Sequence, residues 1–131
     1  MADQLQLQSL VTETGTLELS LTTVPVPTPG EDEVLVKVEA SPINPSDLGL
    51  LFGMADMSTA QSGGTAEAPT ITAEIPEKLR GAVAARVGHA MPVGNEGGGV
   101  VVEAGSGDLA QSLMGKTVGI LGGAMYTQYR V

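Results

Sequence analysis

The residues of this chain whose types and spacing could do chemistry fall in three short stretches. Gly105-Ser106-Gly107-Asp108-Leu109-Ala110 reads G-x-G-x-x-A behind "VVVEA", the written form of a loop that holds a dinucleotide pyrophosphate on backbone N–H groups. Asn44-Pro45-Ser46-Asp47 places an amide and a carboxyl on either side of a proline, in a turn where both side chains can hydrogen-bond nearby backbone. Gly94-Asn95-Glu96 opens a glycine-rich run with a polar pair, of which Glu96 could serve a substrate or simply take a backbone amide. His89, the sole histidine, follows a segment with helical spacing, where a cation is welcome at the C-terminal end. Tyr126 and Tyr129 are three apart, so a strand would turn them to opposite sides, one toward the core and one toward solvent.

The nucleotide loop makes demands that can be checked. It must follow a strand, open a real helix, and be followed about 20 residues later by an acidic residue for the ribose. "VVVEA" meets the first demand. Gly115 ends any helix after about two turns, and residues 117–131 contain no Asp or Glu. Asp108 would also set a negative charge against the pyrophosphate. The glycines fit a structural purpose better. Gly97-Gly98-Gly99 lets backbone approach backbone or bulge at a barrel corner, and Gly105-Ser106-Gly107 makes a tight turn after the strand.

Composition narrows the remaining chemistry. Fifteen acidic residues face six basic ones, a formal net charge of −9, and the cations are scattered. Nucleic acid and anionic membrane surfaces are therefore not expected as partners. There is no cysteine, and with a single histidine no conventional zinc site is expected. No apolar run approaches the length of about 18 residues that a membrane helix needs. "MADQLQLQSL" lacks the basic start and apolar centre of a signal peptide, which makes the cytoplasm the expected location. The length suits one domain, and the core must come from Val, Leu, Ile, Ala and Met, since Phe52, Tyr126 and Tyr129 are the aromatics.

The elements that position these stretches are mainly strands. Leu5 and Leu7, then Leu17, Leu19 and Leu21, alternate with polar residues around a Glu13-Thr14-Gly15 turn, which predicts a half-buried hairpin over 4–24. Prolines make 24–30 an extended connector. Val34, Val36 and Val38 share one face of a strand over 33–40, and only Leu35 spoils the alternation. Ser46 or Asp47 can cap a short helical turn through Leu48, Leu50 and Leu51. Residues 54–75 carry little pattern and read as an exposed excursion. Pro76 to Gly88 reads as a helix with Leu79, Val83 and Val87 on one face, weakened by Gly81. Strands are expected again near 99–104, 116–121 and 125–131, with a helical turn over 108–114. Many strands and few helices point to a small barrel or sandwich.

Three blocks in order, "PTPGEDEVLVKVEASPINPSDLGLLFG", "MPVGNEGGGVVVEAGSG" and "GKTVGILGGAMYTQYRV", resemble the start of a medium-chain dehydrogenase/reductase. The likeness covers most of 27–131 apart from about 54–90, which would be an insertion with a helix at 76–88. It implies a mainly β fold, a GroES-like partly open β-barrel with one or two short helices, as the substrate side of a catalytic domain. Zinc members of that family carry a cysteine ligand in the loop after the valine strand and a Gly-His-Glu in the second block. Here those places read Asn44 and Gly94-Asn95-Glu96, and the cysteine-rich zinc loop is absent. The resemblance thus implies the zinc-independent branch, which reduces quinones, enones or enoyl thioesters with NADPH.

By the same resemblance, Asn44 would donate a hydrogen bond to a substrate oxygen or the nicotinamide carboxamide, and Asp47 would anchor its loop. Ser46, Asn95 and Glu96 would lie near substrate and cofactor. Leu48 to Phe52 contains no tyrosine, so the family's tyrosine proton donor has no counterpart there. The family's nucleotide-binding domain follows this region, so 1–131 is expected to be a catalytic-domain fragment, inactive alone, with little affinity for NADPH and no zinc. An edge left unpaired by truncation predicts a homodimer. The alternative from another class is a stand-alone β-barrel used for binding or assembly, with the excursion at 54–75 as its interaction loop.

Overall fold

A computed structural model describes residues 3–131. Nine strands dominate, with two short α-helices and two 3₁₀ segments between them. In chain order they are β1 (Asp3–Val11), β2 (Thr16–Pro25), β3 (Val34–Ala40), a 3₁₀ turn (Pro45–Asp47), α1 (Leu48–Leu51), β4 (Asp56–Gly64), β5 (Pro69–Glu74), a 3₁₀ segment (Glu77–Arg86), β6 (Met91–Pro92), β7 (Glu96–Ala104), α2 (Asp108–Ser112), β8 (Thr117–Leu121) and β9 (Tyr129–Arg130). They form two open sheets, ordered β4-β5-β2-β1-β6 and β8-β7-β3-β9, neither closed into a barrel. The fold is mainly β with few short helices, as the sequence predicts.

The chain divides into two compact units. One holds the chain up to Gln6, then Thr23–Ile43 and Gly94–Val131; the other holds Leu7–Thr22 and Asn44–Val93. The second unit is built on the predicted hairpin. Its turn closes with Thr12 N–H donating to Thr16 O at 2.9 Å and Gly15 N–H to Thr12 O at 3.1 Å. β5 adds to β2 antiparallel, from Thr16↔Glu74 to Ser20↔Thr70. The core is Val11, Leu17 and Ile75, with Leu79, Val83 and Val87 packed against it. Those last three are the face read from the sequence. Their segment is 3₁₀ rather than α-helical: Leu79 N–H donates to Pro76 O, three residues back. Interior glycine costs an α-helix about 1 kcal/mol, and Gly81 breaks the run where no capping side chain compensates.

The stretch over 54–75, expected as an exposed excursion with little pattern, forms the β4–β5 hairpin, and its end is buried, with Ala73 and Ile75 3% and 2% exposed. β4 is exposed at nearly every position and has no apolar face to reveal it by alternation.

In the first unit, β3 pairs with β7 on one side and β9 on the other. Leu35 and Val36 are both fully buried, at 0% and 2% exposure, so both faces of the strand are covered at that point. This is why Leu35 breaks the alternation. A register shift sits beside it, leaving Val102 of β7 out of the ladder and 39% exposed. Of the strand expected over 125–131, Tyr129–Arg130 forms a strand opposite Lys37 and Val36, and Thr127 makes an isolated antiparallel bridge to Gln6. Gln4, 5% exposed, fastens this end: its Oε1 accepts from Thr127 Oγ1 and from Tyr129 N–H, both at 2.7 Å.

Candidate functional site

The second unit contains Asn44, Ser46 and Asp47. Pro45 opens the 3₁₀ turn, where its fixed φ suits the first position, and Asn44 caps it in an extended conformation. The two ends of the turn hold each other. Asn44 N–H donates to Asp47 Oδ2 at 2.8 Å, and Asp47 N–H donates back to Asn44 O at 2.9 Å. The Asn44 side chain also accepts from the Asp47 N–H, completing a capping box. That bond holds the amide oxygen of Asn44 on its own turn. Asp47 is 1% exposed, so its carboxylate is a structural acceptor inside the unit. Ser46 is exposed and Asn44 half-buried. The helical turn expected next is α1, ended by Phe52 and Gly53 N–H groups that both donate to Leu48 O.

Asn95 and Glu96 belong to the first unit. Glu96 starts β7 opposite Leu121 of β8, and Asn95 O accepts from Gly122 N–H at 2.9 Å. Gly94 is required there. Its φ is +102°, and a Cβ would come within 2.8 Å of the Tyr126 ring and 2.7 Å of its backbone nitrogen. Gly97 leaves similar room for the fully buried Met125. Tyr126 is then tied down by its hydroxyl, which donates to Pro42 O at 2.9 Å. The glycines of this stretch make a slot for Met125 and Tyr126.

The G-x-G-x-x-A segment is the turn the sequence analysis prefers. Gly105 N–H donates to Glu33 O at 2.9 Å and Gly107 N–H to Glu31 O at 2.8 Å. A Cβ on Gly105 would overlap the carbonyl oxygens of Gly30 and Glu31, and one on Gly107 the Asp32 carboxylate. α2 behind it has five residues. The amides that would hold a pyrophosphate are thus spent on the Gly30–Glu33 turn, and acidic side chains line it. These residues do not fit a dinucleotide. Among the described residues, no three His, Cys, Asp or Glu side chains converge as a metal cluster. No described helix is long and apolar enough to cross a membrane. Among the described residues, the surface clefts of about 140 Å³ at Thr16 and Glu74, about 320 Å³ at Gln4 and Tyr129, and about 270 Å³ at Leu7 and Ile71 are not lined by any of the five candidate residues.

Sequence reasoning missed a polar contact within the second unit. Ser9 is fully buried in β1; its hydroxyl donates to Leu50 O at 2.6 Å and accepts from Arg86 Nη2 at 2.9 Å. A signal was present: in Leu5-Leu7-Ser9-Val11, a serine stands in the apolar row. His89 is exposed just past the 3₁₀ segment, where its N–H donates to Arg86 O.

Comparison with known proteins gives a likeness among solved structures. No family model matches the chain, and no curated protein matches it significantly. Among solved structures, it is similar to a Mesorhizobium loti protein provisionally assigned as an NADPH:quinone reductase, with a TM-score of 0.56 and 22% identity. The likeness covers 98% of this chain and 34% of that one. At this identity it establishes a shared fold, and the chain spans about a third of that protein's length.

Proposed function

We propose that this chain is the substrate-side portion of a zinc-independent, NADPH-dependent oxidoreductase that reduces quinones, enones or enoyl thioesters. The observation that carries the reading is the fold likeness running through nearly the whole chain to part of an NADPH:quinone reductase. The two asparagines, Asn44 and Asn95, at the places where the resembled zinc enzymes have ligands support the zinc-free branch. The dinucleotide would be held by residues other than 105–110, where the Gly105 and Gly107 amides are already engaged.

Within this reading, Asn44 is the catalytic residue. Its amide NH₂ donates to the substrate oxygen on which negative charge develops during reduction, and the cap from Asp47 fixes the direction of that donor. Asp47 acts as a positioning residue, since its carboxylate is buried against the backbone. By the resemblance, Ser46, Asn95 and Glu96 are assigned to the vicinity of substrate and cofactor. Asparagine offers a neutral donor with no proton to lose, so proton delivery falls to another group or to water. In the cell, the reading carries a cytoplasmic enzyme and an electron-poor small molecule as its partner, with a homodimer as the assembly.

The test is NADPH consumption with a panel of quinones, enones and enoyl thioesters, using the chain joined to its downstream coding sequence. Turnover insensitive to a chelator is expected. Asn44→Ala should lower kcat by about 100-fold, the usual cost of deleting one positioned oxyanion donor. Absence of both turnover and NADPH binding would overturn the reading.

A further inference from the structure

Arg86 ends the 3₁₀ segment, and its guanidinium is drawn into the second unit. Nη2 donates to Ser9 Oγ at 2.9 Å, and the buried Ser9 hydroxyl donates on to Leu50 O. Nε is buried with no hydrogen-bond partner. Burial alone pushes the Arg86 pKa down, with no carboxylate opposing it. The chain holds fifteen acidic residues, yet none of the described ones is paired with this cation. Arginine stays charged in proteins, and a cation held partly out of water without a counter-ion is costly. Such uncompensated groups mark functional positions.

The third nitrogen has a different setting. Nη1 lies 3.9 Å from where a Cβ on Gly53 would be. Gly53 has a φ of +54° and no side chain to cover that nitrogen, while its neighbours Phe52 and Met54 are 44% and 43% exposed. The fork is therefore anchored on one side by Ser9, and its other nitrogen lies beside Gly53, between two partly exposed apolar residues in the chain. We propose that Arg86 is an anion-binding position, whose Nη1 receives the carboxylate or phosphate end of a ligand with an apolar body resting on Phe52 and Met54. An arginine suits either head, since its planar fork matches both. The assignment goes beyond the oxidoreductase reading and stands without it, because nothing in it requires turnover.

The test uses the 131-residue chain and NMR of its arginine side-chain N–H groups and of Phe52, the sole phenylalanine. Octanoate and octyl phosphate are titrated in separate arms, with octanamide as the uncharged control. Either anion should shift the Arg86 Nε–H and Phe52 signals together, and the tighter one identifies the head. Octanamide should bind at least about 10-fold more weakly, the worth of one charge-assisted hydrogen bond. Arg86→Gln should weaken the better anion by a similar factor, and Arg86→Lys by less. An Arg86 signal unmoved by both anions overturns the proposal, and that measurement needs no variant to fold. Equal affinity for octanamide, or an Arg86→Gln chain that binds the anions as tightly as the parent, overturns it too.

Discussion

Asp47 is the residue on which the shape of the Asn44 loop should depend most, and its contribution can be worked from the geometry. Asp47→Ala removes the acceptor of the 2.8 Å bond from Asn44 N–H. A hydrogen bond to a charged group contributes about 1.5–3 kcal/mol, and Asp47 is 1% exposed, so solvent screening takes little of it. Truncation also leaves a space the size of a methyl group or more, worth about 1 kcal/mol. The expected loss is about 2–4 kcal/mol, a large part of the roughly 5–15 kcal/mol that stabilises an ordinary domain. Asp47→Asn keeps an oxygen acceptor without the charge and should lose about 1 kcal/mol. At about 4 °C per kcal/mol for a chain of this size, the Asn variant melts about 4 °C lower and the Ala variant about 8–16 °C lower. Urea titrations followed by far-ultraviolet circular dichroism read the difference, and hydrogen exchange at the Asn44 amide localises it. The reasoning fails if Asp47→Ala is as stable as the parent, since then the bond contributes nothing, or if the Asn and Ala variants lose the same amount, since then an oxygen acceptor without the charge contributes nothing.

Other outcomes follow from the same contacts. Gly105→Ala should destabilise the chain by about 2–3 kcal/mol, because its methyl overlaps backbone oxygens of the Gly30–Glu31 turn, whereas Gly119→Ala, with nothing within 4 Å, should change stability by less than about 0.5 kcal/mol or raise it; equal unfolding midpoints would refute the packing argument. The Asp56 carboxyl is held below the ordinary aspartate value, first by the Ser58 hydroxyl at 2.6 Å and then by the Ser58 N–H at 3.0 Å. A lowered folded pKa means that these bonds favour the folded state above the unfolded value and cease to do so as pH falls through the folded one. Ser58→Ala should therefore move the Asp56 titration up toward the ordinary value, read by carboxyl ¹³C NMR, and an unmoved titration would show that the hydroxyl is not the cause.

What the sequence displayed depended on how many partners a feature has. β1 and β2 were legible because apolar and polar residues alternate along both, with Val11 and Leu17 reaching the core, while Leu21 at the far end of the alternation stays 36% exposed. Local hydrogen bonding at Asn44 and Asp47 was legible because proline and its polar neighbours lie within four positions, but the capping side chain is Asn44 and not Ser46 or Asp47: the 3₁₀ turn starts at Pro45, before either of them could cap it. β4 was not, since its residues are exposed at nearly every position and leave no period. Leu35 was read as an exception when it was information, a strand buried on both faces. The Ser9–Arg86 contact joins residues far apart in the chain, and only the serine in an apolar row announced half of it.

The glycines make the same point most sharply. G-x-G-x-x-A is written identically whether a pyrophosphate or a neighbouring turn takes its amides, because in both cases the demand is for backbone that nothing covers. What separates the two is outside the pattern: the Gly30–Glu33 turn supplies the carbonyls that Gly105 and Gly107 use, and Gly115 follows α2 too soon for a helix of useful length. The failed demands for a long helix and a later acidic residue were therefore better guides than the matched letters. The same logic directs attention to Asn44 over the glycines. The capping box orients the Asn44 side chain through its own turn, which is the preorganisation that the proposed donor role asks for.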